Sequence, residues 1–211
     1  MPSMSQRSDS VWERLQEASE FFAKRGKVHS ALERLARRLD EEDIPYAITG
    51  GMALNLHGYE HVTCDLNVVL TASGLEKFLV RCVERGYPPR VSGATRSFIE
   101  AVSQVPVKVV ITGEHPGDGK PKPVAFPDPA TASVSIGGIR VIKLEKLIDL
   151  KLASGLSAPH RLRDLADVQD LILLLKLPPE FAEKLDESVR AEYWRLWEAA
   201  QGAGEESEKQ R

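Results

Sequence analysis

Apolar residues recur along the chain first at helical spacing, then in short runs, and finally at helical spacing again. Spacings of three and four place side chains on one face of a helix, whereas short β-branched runs favour strands. A helix is predicted from Ser10, where Glu13 completes a capping box, and a second from Ser30, with Glu33 at the same offset. The apolar stripes of these helices are Val11, Leu15, Ala18 and Phe22, and Ala31, Leu32, Leu35 and Leu39.

The middle of the chain has the pattern of a sheet with inserted helices. Strands are predicted at 46–49, 66–70, 97–102 and 105–112, and in a hairpin at 133–142 that turns at Gly137-Gly138. Helices are predicted at 52–57 and 74–85, and then at 144–153, 159–175 and 179–200. This order predicts an α+β fold with a mixed central sheet, flanking helices and a C-terminal helical bundle.

The pattern divides the chain into four parts, which are an N-terminal helix at 1–30, a core at 31–142, a C-terminal helical region at 143–201 and a charged tail at 202–211 that is predicted to be disordered. A Pro/Gly-rich loop at 113–129 interrupts the core. Loops of this length are usually functional or disordered. Two interpretations stand side by side: a rigid surface loop, or a lid over a cleft that carries Lys120 and Lys122.

Composition narrows the class of protein. Of the 211 residues 42% are hydrophobic and 28% are charged, which is typical of globular proteins. The net charge of -3 gives no sign of wholesale polyanion binding. Two cysteines, Cys64 and Cys82, are too few for a disulfide scaffold and are expected to be buried thiols. No apolar run reaches the ~18 residues of a membrane helix, and the expected location is the cytoplasm, away from membranes.

The segment from Thr49 to Leu70 carries the most informative chemistry. A strand that runs into Gly50-Gly51 and then a helix lets backbone N–H groups approach an anion, although such a turn alone can be purely structural. Asp65 enters the next strand, where residue 67 projects to the same side. Two carboxylates at such positions can hold Mg²⁺ beside a nucleotide's phosphates.

These residues resemble the polymerase-beta-like nucleotidyltransferases, in the small bacterial branch that includes the abortive-infection, AbiEii-like proteins. The matching residues are Gly50, Gly51, Ala53, Leu54, His57, Gly58, Thr63 and Asp65, in order and spacing. A second match lies at 150–154 and 161–168, where the family has a lysine-bearing helix and a helix with two aspartates. The resemblance implies an NTP-dependent transferase in which Asp65 binds Mg²⁺ and the phosphates contact Gly50, Gly51, Thr63, Lys151, Arg161 and Arg163.

The chain departs from the family pattern at the carboxylates. Asn67 stands where the family has its second carboxylate. Lys108 is the residue of this chain that aligns with the family's third carboxylate. An amide ligand brings no charge, and a lysine competes with the metal cation. Glu100 and Glu114 are the acids that replace the missing carboxylate if the alignment is shifted.

Three functions therefore remain open. The first is metal-dependent transfer of NMP from an NTP to a hydroxyl of RNA, protein or a small molecule. The second is a pseudoenzyme that binds nucleotide, RNA or a partner protein without turnover. The third is a scaffold with an exposed apolar patch on Tyr193, Trp194 and Trp197. Lys151 is interpreted either as a lysine that extends to solvent or as a triphosphate ligand.

Overall fold

The computed structural model describes the backbone of residues 26–209 and the side chains of residues 26–202. The helix predicted from Ser10 lies outside the described residues. None of the helices in the described part is long and apolar enough to cross a membrane.

A six-stranded mixed sheet forms the centre of the molecule, and its strand order is β3-β4-β2-β1-β6-β5. The strands are β1 (Tyr46–Thr49), β2 (Leu66–Leu70), β3 (Ser97–Glu100), β4 (Val105–Ile111), β5 (Ser133–Ile136) and β6 (Ile139–Ile142). β1 is antiparallel to β2 and parallel to β6, β2 is parallel to β4, and both edge strands are antiparallel to their neighbours. The predicted hairpin at 133–142 is confirmed, with its turn at two glycines of positive φ.

Seven α-helices are described around this sheet. They are α1 (Lys27–Glu41), α2 (Gly50–Leu56), α3 (Ala72–Arg81), α4 (Pro129–Ala132), α5 (Leu144–Ser157), α6 (Leu162–Leu175) and α7 (Glu187–Lys209). Short 3₁₀ segments stand at Val83–Arg85, Pro159–Arg161 and Pro179–Lys184. The predicted α+β architecture, with helices beside a mixed sheet and a C-terminal helical region, is confirmed.

Each face of the sheet has its own apolar core, which follows from the alternation of side chains along the strands. On one face, Ile48, Val68 and Val109 pack with α1 and α3. On the other, Ala47 and Val69 pack with α5, α6 and α7. Because both faces are covered, the central strands are apolar nearly throughout, and a polar side chain on them needs a local reason.

Two predicted boundaries differ from the structure. Helix α1 begins at Lys27 after Gly26, so Ser30 lies inside the helix and caps nothing. Helix α7 continues to Lys209, through most of the segment predicted to be a disordered tail. Glutamate and alanine are good helix formers, so a charged segment that follows a packed helix can keep helical backbone.

Candidate functional site

A cleft of about 280 Å³ lies between the sheet and helix α5. Its floor is a row of side chains from three neighbouring strands, because Thr49 pairs with Asn67 and Asn67 pairs with Lys108. All three residues line the cleft. The register therefore brings two of the sequence-predicted site residues, Asn67 and Lys108, directly side by side.

The two glycines that begin α2 allow side chains to approach closely. Gly50 has a φ of +66°, and a Cβ there would lie 3.0 Å from Asn67 Nδ2. A Cβ on Gly51 would lie 2.9 Å from both Cβ and Oγ1 of Thr63. Gly50 lines the cleft, whereas Gly51 and Thr63 are not among its lining residues. Packing against Thr63 and Asn67 therefore accounts for the glycine pair without any bound anion.

Asp65 lies one residue before β2, next to the cleft floor. Its carboxylate accepts hydrogen bonds from Thr63 Oγ1 at 2.9 Å and from Asn67 Nδ2 at 3.4 Å. Asn67 thus presents its amide nitrogen, a donor, to the one acid at this end of the strand. A neutral amide therefore hydrogen-bonds to an anionic carboxylate here. Two carboxylates at these positions would repel each other and would need a cation between them.

The wall of the cleft contains a buried ionic cluster centred on Lys151. Lys151 is 8% exposed, and its Nζ donates to Asp164 Oδ1 at 3.0 Å and to Asp167 Oδ2 at 2.6 Å. Ser154 Oγ donates to Asp164 Oδ2 at 2.6 Å. Burial raises the pKa of Asp164, but Lys151 and Ser154 outweigh burial and hold it below its ordinary value. Lys151 is thus neutralised by two carboxylates from α6.

The two arginines predicted to bind phosphate are in different places. Arg161 lines the cleft, and its NH1 lies 3.1 Å from Ser154 Oγ and 3.5 Å from Asp164 Oδ2. Arg163 is exposed and does not line the cleft, and its charge acts on Tyr59 and His61. The structure therefore brings together Gly50, Asn67, Lys108, Lys151 and Arg161 in one cleft. The other predicted site residues do not line it, and these are Asp65, Gly51, Thr63 and Arg163.

The connection between α2 and β2 is fastened to the helical region. Tyr59 Oη donates to Asp170 Oδ2 at 2.6 Å, and burial together with this carboxylate raises the pKa of Tyr59 to about 12. His61 Nδ1 lies 3.8 Å from Asp167 Oδ1, and burial lowers the pKa of His61. His57 Nε2 contacts the carbonyl of Ile142 at 2.8 Å. These side chains hold the segment before Asp65 in position against α6 and β6.

The loop between β4 and α4 forms one side of the cleft and is held in place by its own contacts. Its lining residues are Glu114, His115, Pro116, Gly117 and Phe126. Lys122 Nζ donates to the carbonyl of Pro116 and to Asp118, and the backbone N–H of Asp118 donates to Ser157 at the end of α5. Lys120 and Lys122 are not among the lining residues. The loop thus combines features of both interpretations, since it closes the cleft and is internally braced.

The two glutamates considered as replacement acids have different surroundings. Glu100 is 3% exposed and accepts from Arg34 at 3.0 and 2.7 Å on the face that carries α1. Burial would raise the pKa of Glu100, but Arg34 and the segment at Ser103 lower it to about 2. Glu114 lines the cleft, but it is paired with Arg96. Glu100 therefore serves another part of the fold, and Glu114 already has a cation in Arg96.

These residues do not fit a magnesium ion. Divalent magnesium favours carboxylate oxygens in octahedral arrangement. The floor offers the amide of Asn67 and the ammonium of Lys108, with Asp65 next to it. Within the described part of the chain, no group of three or more His, Cys, Asp or Glu side chains could hold a metal ion.

Some predictions about single residues need correction. Cys64 is exposed, while Cys82 is buried, and burial raises the pKa of the Cys82 thiol to about 11. Tyr193 is fully buried and Trp197 donates to the carbonyl of Leu177, so Trp194 is the exposed member of the predicted apolar patch. Both corrections have one cause: the place of a residue in the fold decides its burial, and residue type alone does not.

The sequence did not identify Ser154 as part of the site, nor Asp164 and Asp167 as partners of Lys151. Two signals were available. Ser154 lies one helical turn from Lys151 and must share its face. A lysine on the apolar side of a helix needs an acidic partner, and α6 supplies two, Asp164 and Asp167. No comparable signal marks Phe126 or Arg96, because their positions depend on how the loops fold.

Neither a protein-family model nor a curated protein matches this chain. Among solved structures, it is similar to a candidate nucleotidyltransferase from Helicobacter pylori at 18% identity, covering 86% of this chain and 95% of that one, with a TM-score of 0.46. It is similar to an antigenic nucleotidyltransferase-like protein from Paracoccidioides brasiliensis at 20% identity, covering 68% and 74%, with a TM-score of 0.49. The antibiotic-resistance factor ANT(2'')-Ia matches at 12% identity over 86% and 97%, with a TM-score of 0.47. Because these TM-scores are below 0.5, the likenesses decide neither the chemistry nor the substrate.

Proposed function

We propose that this chain is a nucleotidyltransferase-fold protein of the polymerase-beta-like type that binds a nucleotide in the cleft between sheet and α5 without transferring it. The observation that carries the proposal is the register of Asn67 beside Lys108 on the cleft floor. The family resemblance puts carboxylates at these two positions. With an amide and an ammonium there, the floor attracts phosphate but provides no cage for a catalytic metal.

The composition of the cleft supports a nucleotide as ligand. Lys108 and Arg161 supply positive charge, while Val110, Phe126, Leu147 and Leu150 supply an apolar wall. Binding sites for small molecules combine such walls with a few placed polar groups. The cleft volume of about 280 Å³ suits one nucleotide better than a strand of nucleic acid. The order of motifs from Gly50 to Asp65 favours the AbiEii-like bacterial branch.

Metal-dependent transfer of NMP to a hydroxyl is the competing function, and Asp65 is the observation that favours it. Asp65 is half-buried beside the floor and retains a free lone pair on each oxygen after its two hydrogen bonds. An active enzyme would need a further acid, and of the two replacement candidates Glu114 is the one that lines the cleft. To act as a metal ligand, Glu114 would first have to break its ion pair with Arg96.

Thermal melting with each NTP, followed by a transfer assay with α-labelled NTP, tests the proposal. A ligand at 100 times its Kd adds about 2.7 kcal/mol of stability. We expect a raised midpoint with at least one NTP, and no labelled protein, RNA or small molecule. Label transfer that disappears in Asp65→Ala would establish the enzyme instead. If no NTP raised the melting midpoint, the scaffold function would be favoured instead.

A further inference from the structure

Lys108 is a cation in the cleft without a carboxylate of its own. Its side chain is exposed, it lines the cleft, and it takes part in none of the ion pairs found among the described residues. The nearby acids are otherwise engaged: Asp65 accepts from Thr63 and Asn67, and Glu114 pairs with Arg96. The positive charge of Lys108 is therefore directed to the solvent that fills the cleft.

The other lysine of the cleft cannot provide this charge. Lys151 is held by Asp164 and Asp167, so a phosphate near it would face two carboxylates as well as one ammonium. Arg161 is also directed partly at Asp164. Lys108 is thus the strongest source of unneutralised positive charge at the floor.

From this arrangement we infer that the ammonium of Lys108 takes the electrostatic place of a divalent metal, so that phosphate binds without metal. The inference rests on the proposed function and specifies its chemistry. A nucleotidyltransferase site with three carboxylates is anionic, and a phosphate can enter it only with metal ions. Here the floor carries the Lys108 ammonium, and Asp65 lies beside the floor, just before β2, so a phosphate oxygen can contact Lys108 Nζ directly.

The inference also explains Asn67. An aspartate at residue 67 would lie in register with Lys108 and beside Asp65, and its carboxylate would pair with the ammonium and cancel it. An amide leaves the charge of Lys108 available. It also donates to Asp65, which reduces the pull of that carboxylate on the lysine. The two departures from the family pattern are therefore complementary.

The test compares three forms of the full chain: the natural protein, Lys108→Met, and the double variant Asn67→Asp/Lys108→Glu, which places carboxylates at both positions. Binding of ATP and of inorganic tripolyphosphate is measured calorimetrically in EDTA and in MgCl₂. Lys77→Met, on the exposed side of α3, is the matched control for loss of a lysine. Mn²⁺ binding is followed by electron paramagnetic resonance, a readout independent of activity.

We expect the natural protein and Lys77→Met to bind both ligands in EDTA, with no tightening in MgCl₂. Lys108→Met should weaken binding about 10- to 100-fold, the range for losing one charge-assisted hydrogen bond. The double variant should bind only with Mg²⁺ and should immobilise Mn²⁺, which the natural protein does not. Recovery of binding by metal would show that the double variant is folded.

Two results would overturn the inference while leaving nucleotide binding intact. One is binding by the natural protein that requires Mg²⁺, and the other is a Lys108→Met variant that binds as tightly as Lys77→Met. Failure of the proposed function itself looks different, because the natural protein would then bind neither ligand under any condition. Circular dichroism of each variant separates loss of fold from loss of binding.

Discussion

Lys108 and Lys151 line the same cleft, one from strand β4 on the floor and the other from helix α5 in the wall. Lys151 is 8% exposed and contacts two carboxylates, whereas Lys108 is exposed and contacts none within the described part of the chain. A buried ammonium requires such partners, because desolvation of an unpaired charge is costly. The comparison teaches that Lys151 maintains the fold and that Lys108 is available to a ligand.

The largest effect should come from removing the wall lysine. Lys151→Met removes the ammonium that contacts both Asp164 and Asp167, which should reduce the free energy of unfolding by about 3–5 kcal/mol. Urea denaturation measures the loss. Neutralising the acids in the same chain, with Asp164→Asn and Asp167→Asn, should restore much of it. A single variant as stable as the natural protein would contradict a structural role for Lys151.

A smaller effect is expected where the floor meets the glycine turn. Gly50→Ala should cost about 2–3 kcal/mol, since it combines an unfavourable positive φ with a Cβ 3.0 Å from Asn67 Nδ2. Gly119→Ala is the control, because Gly119 has a φ of +73° and nothing within 4 Å of its Cβ. Gly119→Ala should lower the free energy of unfolding by about 1–2 kcal/mol, which is the cost of the positive φ alone. Equal losses would mean that the approach of Asn67 is unimportant.

The ionic wall should also contribute to the dependence of stability on pH. The folded pKa of Asp164 is below its ordinary value of 3.8, so its contribution is present above pH 3.8 and is lost as the pH falls through the lower folded value. Asp164→Asn should therefore flatten the fall in stability below that pH. Glu100, with a folded pKa of about 2, also makes the protein less stable at low pH, and Asp164→Asn retains that contribution. An unchanged slope in Asp164→Asn would contradict the pairing.

The smallest effect on stability should come from the floor lysine. Lys108→Met removes an exposed side chain without an ion partner, so the free energy of unfolding should change by less than about 0.5 kcal/mol. This variant is also the direct counterpart of Lys151→Met in urea denaturation. A loss above about 1.5 kcal/mol would indicate that Lys108 stabilises the fold and would remove the contrast between the two lysines.

The sequence predicted most elements because their patterns are local. The β-branched, mostly apolar runs of β2 and β4 indicate strands, and the paired glycines at 137–138 indicate a turn, without knowledge of neighbours. The register that joins Asn67 to Lys108 depends on a parallel pairing of segments 41 residues apart, which no local pattern specifies. The place of Lys151 on an apolar helix face indicates that it needs acidic partners. Which acids contact it depends on the angle between α5 and α6, which no local pattern specifies.

The sheet topology has a consequence for the order of folding. The cleft floor forms only when β2 pairs with β4, and the sheet around it also requires β1 to pair with β6. Strands that are distant in the sequence must therefore meet before the cleft exists. Such long-range parallel contacts form slowly, since a long loop must close before any of them is gained. Helices α5 and α6, by contrast, are joined by local contacts and can associate early. During refolding, the ionic wall should therefore become protected before the chain can recognise a phosphate, and a phosphate ligand would report only on molecules that have completed the sheet.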